Sequence, residues 1–82
     1  MMPTDAELIA LIVDQSLKDA SLFKLNATLE ETGVDSVDMV SIFFALEDKY
    51  DIHIEYEEIS RDQTVGEVFA LIRSKINTTE AS

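Results

Sequence analysis

The stretch Gly33-Val34-Asp35-Ser36-Val37-Asp38-Met39-Val40-Ser41-Ile42-Phe43-Phe44-Ala45-Leu46-Glu47-Asp48-Lys49-Tyr50 decides how this chain is read. It opens on a turn with a capping Asp35. It then continues as one helix from Asp35 to Tyr50, with more apolar side chains than a single buried face needs. Placed at about 100° per residue, those side chains separate into two groups. Met39, Ile42, Phe43, Leu46 and Tyr50 fall within an arc of roughly 100°, the width of an ordinary core-facing stripe. Val37, Val40 and Phe44 form a shorter row turned about 130° from the middle of the first, with Ser41, Glu47, Asp48 and Asp51 beside it. A central helix in a small bundle can be buried on both sides, but burying this row would also bury its flanking charges unpaired. An apolar row rimmed by acids is better read as a docking surface, in which the row makes contact and the rim steers a basic partner.

Ser36 occupies the first turn of this helix. Four backbone N–H groups lack intrahelical partners there, and with the helix dipole they favour a negatively charged group such as a phosphodiester. The plainer reading of the same residues is that Asp35 caps, Asp38 supports the cap electrostatically, and Ser36 is one more serine at a helix start. Local physics alone leaves both readings open.

Outward from this segment, helix-start signals recur at Thr4-Asp5-Ala6-Glu7 and Thr64-Val65-Gly66-Glu67, each a capping oxygen followed three residues later by Glu. The first opens an apolar period through Leu8, Ile9, Ile12 and Val13 to about Leu17. The second opens one through Val65, Val68, Phe69, Ile72 and Ile76, with Gly66 weakening its start. From Asp19 to Asp35 no period is sustained, but Leu22, Phe23, Leu25 and Leu29 recur at intervals that would pin a long loop to the core. A loop that long is uncommon in a compact domain unless it has a function. Asp51-Ile52-His53-Ile54 alternates like a strand but has no partner strand, so an irregular link is expected, followed by one helical turn at Tyr56-Glu57-Glu58-Ile59. The polar tail 77–82 is expected to fray, leaving an ordered core of about residues 4–76. The expected fold is all-α: a small four-helix bundle of three main helices and one short one, with a long loop between the first two main helices.

The chain has 82 residues, no cysteine, and seventeen acidic against six basic residues, for a formal net charge of −11. That length is one domain at most, and such a domain buries only about 60% of the surface its unfolded chain exposes. The charge repels phosphate backbones and anionic lipids, so neither nucleic acid nor a membrane is an expected partner. The acidic start Met1-Met2-Pro3-Thr4-Asp5 is unlike a secretory signal, and the apolar run from Leu8 to Val13 is too short to span a bilayer. A cytoplasmic monomer is the expectation.

Asp35-Ser36-Val37 at the head of a helix ending Ala45-Leu46-Glu47-Asp48-Lys49-Tyr50 resembles the acyl carrier protein family. The resemblance can be followed from about Thr4 to Ile76. It takes in the amphipathic first helix, the long loop, the Gly-x-Asp-Ser signature, the acidic second main helix, the short third and the closing fourth. It implies that Ser36 accepts 4′-phosphopantetheine from coenzyme A through a phosphopantetheinyl transferase, and that acyl groups then ride on the added thiol as thioesters. Asp35 and Asp38 would serve transferase recognition as well as the helix start. Val37, Val40, Phe44, Glu47 and Asp48 would meet the acyl-chain synthases and acyltransferases of fatty acid, lipid or polyketide biosynthesis through their basic docking patches. No catalytic residue and no metal ligand is implied. Three positions depart from the family pattern: Val37 where Leu is common after the serine, Ser41 where an acid is frequent, and Thr32 where Leu usually precedes the glycine. These departures point towards a specialised acyl chain or pathway. Acyl carriers often shelter the chain inside the bundle, and Phe43, which points inward by its helical angle, is expected to limit the depth available there.

Two other readings compete. An enzyme is disfavoured, because there is one His, no Cys and no Gly-rich phosphate loop. His53, between Ile52 and Ile54, suits a solvent-facing or partly packed position better than a general base. Asp48, Asp51, Glu55, Glu57 and Glu58 lack the order of a calcium loop, and no carboxylate stands at zinc-ligand spacing from the histidine. An unmodified acidic helical adaptor, binding a basic groove through Val37, Val40 and Phe44, uses the same surface but leaves Ser36 without a role.

Overall fold

In the computed structural model, which describes residues 2–81 with side chains up to Thr78, both long capping signals act as their residues predict. Thr4 Oγ1 accepts the Glu7 amide at 3.1 Å, the Glu7 carboxylate accepts the Thr4 amide at 3.2 Å, and α1 follows over Asp5–Ser16. Thr64 and Glu67 make the same exchange at 3.1 and 2.9 Å ahead of the closing helix. Between them lie a 3₁₀ turn at Ala20–Leu22, the one-turn helix α2 at Leu29–Thr32, α3 at Ser36–Tyr50, and a second 3₁₀ turn at Tyr56–Glu58. The closing helix α4 spans Val65–Ala81, past Ile76 where the apolar period stops. The fold is a small helical bundle, and no strand occurs among the described residues.

The core takes one face from each long helix: Leu8 and Ile12 from α1, Met39, Ile42, Phe43 and Leu46 from α3, and all five apolar positions of the α4 period. Burying a side chain of this size stabilises the fold by about 1.5–3 kcal/mol. Tyr50, Ile9 and Val13 pack half-buried against that core. Leu17 does not continue the α1 stripe. It is the C-cap residue in left-handed backbone, with φ 60°, and it is 89% exposed. Arg73 of α4 holds the chain start through the Pro3 carbonyl at 3.1 Å and the Asp5 carboxylate.

The long first loop is tied down more by backbone than by side chains. Phe23 is buried and Leu29 half-buried, as expected, whereas Leu22 and Leu25 are largely exposed. The loop instead pairs with the segment leading into α4. The amides of Leu29, Glu30, Val65 and Gly66 donate respectively to the carbonyls of Gln63, Arg61, Ala27 and Leu25, around an antiparallel bridge between Thr28 and Thr64. Gly66 suits this clasp, because a Cβ there would stand 3.1 Å from the Leu25 carbonyl oxygen. The loop also hides a third capping box, Thr28 with Glu31, which starts α2. Gly33, at φ 82°, ends that turn in left-handed backbone and redirects the chain into α3.

The 51–55 link is irregular, as its lack of a partner strand predicts. Ile52 and Ile54 are buried while His53 faces solvent between them. No helix among the described residues is long and apolar enough to cross a membrane.

Candidate functional site

Asp35 and Asp38 form a carboxylate capping box at the head of α3. The Asp38 amide donates to Asp35 Oδ1 at 2.8 Å, and the Asp35 amide donates to Asp38 Oδ2 at 3.3 Å. Both acids are therefore committed to starting the helix, with the favourable dipole sign expected of anions at an N-terminus. Ser36 follows as the first helical residue, with its side chain exposed. The turn beneath it is rigidly held. Val34 is buried, and Arg61 Nη2 donates to the Val34 carbonyl at 2.8 Å while Nη1 approaches Met39 Sδ at 3.9 Å. Thr32, in the position that departs from the family pattern, is buried with its hydroxyl donating to the Leu29 carbonyl.

A second residue reaches the Ser36 hydroxyl from the far side of the chain. The Tyr56 hydroxyl, on the second 3₁₀ turn, donates to Ser36 Oγ at 3.3 Å. The Tyr56 ring meets Phe43 edge-on, with centroids 6.1 Å apart. Phe43 in turn lines an all-apolar cavity of about 30 Å³, together with Val34, Met39, Leu46, Val68 and Phe69. That space has room for only a few water molecules, so an acyl chain enters it as these side chains part.

The two faces of α3 separate as the helical angle requires. Met39 and Leu46 are nearly inaccessible, whereas Val37 is 74%, Val40 42% and Phe44 66% exposed. Asp48 is exposed at the edge of this row. Glu47 is placed differently from a free rim acid. Its carboxylate accepts the Ile54 amide at 2.8 Å and lies 3.2 Å from His53 Nδ1, so it fastens the 51–55 link to α3. Beyond Phe44 the row opens into a groove between α1 and α3 whose acids, Glu7 and Asp14, come from α1 alongside Asp48. Neither α1 acid is distinguished by the sequence of α3.

His53 bridges two acids, with Nε2 2.6 Å from Glu55 as well as Nδ1 near Glu47. The hydrogen bond and the charge of Glu55 hold its pKa above the ordinary 6.5. It has no role in the Ser36 site. No cluster of three or more potential metal ligands occurs among the described residues.

The residues around Ser36 fit a phosphodiester-linked arm. The hydroxyl is accessible, it sits where the first-turn amides face outward, and its neighbouring acids are already turned into the cap. Residues 6–72 match the family described as "Phosphopantetheine attachment site". This small helical bundle is thus of the class that holds phosphopantetheine covalently. Among its relatives, an acyl carrier protein of Streptococcus thermophilus is 37% identical, the match covering 79% of this chain and 85% of that one. Those of Helicobacter hepaticus (35% identical, 89% and 97% covered) and Chlamydia felis (31%, 90% and 96%) match over more of their length. The chain belongs to the acyl carrier protein family, with 4′-phosphopantetheine as its covalent cofactor.

Proposed function

We propose that Ser36 is the attachment residue. In the transfer, its hydroxyl oxygen forms the new P–O bond, its proton passes to the phosphopantetheinyl transferase, and the nucleotide half of coenzyme A departs. The thiol of the attached arm then carries acyl groups as thioesters to synthases and acyltransferases of lipid or polyketide formation. The observation that carries this reading is the accessible Ser36 hydroxyl at the first turn of α3, beside a solvent-facing apolar row. Val37, Val40 and Phe44 make the partner contact. Asp48, joined by Glu7 and Asp14 across the α1–α3 groove, supplies the charge that steers a basic patch towards it. Asp35 and Asp38 act first through the cap, so a transferase reads the helix start as they shape it. Glu47 contributes by holding the link in place and only secondarily by its charge.

Incubation with coenzyme A and a broad-specificity transferase, followed by intact-mass measurement, tests the reading. A gain of one phosphopantetheine unit is expected in the parent and none in Ser36→Ala, with both giving the same circular dichroism spectrum. No gain in the parent would leave an unmodified adaptor as the better account of the same surface.

A further inference from the structure

Resting on the reading of Ser36 as the attachment residue, we infer that Tyr56 is a positioning residue for the arm, donating to its phosphodiester and setting its direction at the cavity mouth. The inference starts from what surrounds the Ser36 hydroxyl. The nearest charged groups on its own element, Asp35 and Asp38, are anionic and turned into the cap. Arg61 is engaged with the Val34 carbonyl beneath the turn. Tyr56 is the neutral donor already placed on Ser36 Oγ, at 3.3 Å.

Esterification turns that oxygen into a bridging ester atom, a poorer acceptor, and places charged oxygens on the phosphorus bonded to it. A donor aimed at Ser36 Oγ then has a stronger, charge-assisted acceptor next to the one it loses. The ring of the same residue fixes the direction. Seven helical steps bring Phe43 to within about 20° of Ser36 around α3, two turns on, so the two lie along one line of the helix. Tyr56 spans that line, with its hydroxyl at Ser36 and its ring against Phe43, which lines the cavity. Ser36 lies on the seam between the buried and the exposed face of α3. A phosphodiester held by Tyr56 therefore starts the arm on the cavity side of that seam and leaves the Val37–Val40–Phe44 row clear for a partner.

Tyr56 is 43% exposed, so its hydroxyl can be removed with little cost to folding. The test compares the parent, Tyr56→Phe and Tyr56→Ala, each loaded enzymatically and verified by mass. The readouts are the ³¹P resonance of the phosphodiester and the change in melting temperature on loading. The expected result is that all three load, that the ³¹P resonance of Tyr56→Phe moves towards its position in the urea-unfolded holo protein, and that the loading-dependent stabilisation shrinks in both variants. Coincident ³¹P resonances in loaded parent and Tyr56→Phe would overturn the role of Tyr56 while leaving Ser36 as the attachment residue. Failure of the parent itself to gain mass would overturn both.

Discussion

At the scale of single residues, the fold keeps two features that chemistry alone would not choose. Leu17 caps α1 in left-handed backbone while almost fully exposed, a conformation that costs a residue with a Cβ about 1–2 kcal/mol. Nothing buried is lost by replacing it, and glycine at a helix C-terminus adopts this conformation freely, though its unfolded chain is also freer. Leu17→Gly is therefore expected to raise the urea-unfolding free energy by about 0.5–1 kcal/mol. An unchanged or lower value would mean that the Leu side chain makes contacts the fold needs. His53 is the other case. Its pKa is raised in the folded chain by its hydrogen bond to Glu55 and the charge of Glu55, with a smaller contribution from Glu47, against the opposing effects of desolvation and of the Lys75 charge. Protonated His53 thus adds stability that is fully present below its ordinary value of 6.5 and fades as the pH rises through the raised folded value. Urea unfolding of the parent and His53→Gln should differ at pH 6 and converge by pH 9. Equal differences at both would sink the account.

At the scale of elements, Gly66 shows how packing overrides propensity. In the first turn of a helix, Gly→Ala is ordinarily worth up to about 1 kcal/mol in favour of Ala. Here a Cβ would press on the Leu25 carbonyl, which already accepts the Gly66 amide at 2.9 Å, so relieving the contact stretches that bond. Gly66→Ala is expected to lower stability by about 1 kcal/mol, the worth of a typical hydrogen bond, as read by chemical denaturation. The same element shows what the sequence makes legible. Thr4-x-x-Glu7 and Thr64-x-x-Glu67 announce helices because an apolar period follows each box. Thr28-x-x-Glu31 is the same box and equally functional, but the chain turns at Gly33 before any period can develop, so the signal reads as loop. The two faces of α3 follow from angle alone, and with them the exposure of Val37, Val40 and Phe44. What angle cannot reveal is a partner distant in sequence: Tyr56 meeting Ser36 twenty residues away, Arg61 reaching Val34, or the Ile54 amide donating to Glu47.

At the scale of the whole molecule, a formal charge of −11 is confined to a body of about 35 × 24 × 20 Å. Among the described residues, Asp5 pairs with Arg73 and Glu58 with Lys75. At low salt, where screening extends about 30 Å, nearly every acid repels every other across the fold; at about 0.1 M the range shrinks to about 10 Å. The melting temperature should accordingly climb as sodium chloride is raised from low concentration, most steeply at first, and then level off. A flat or falling profile would show that the carboxylates are neutralised locally. Association with a basic partner should run the opposite way and slow as salt is added, which separates the two effects in one titration series.

Because Ser36 stands on the boundary between the sheltered and the water-facing sides of α3, a tether rooted there can exchange storage for delivery by rotating a few bonds near its anchor. Hand-over then becomes a pivot about a fixed post, quick on the timescale of side-chain motion, and the slower event left to limit it is the parting of the side chains that close the interior behind Phe43.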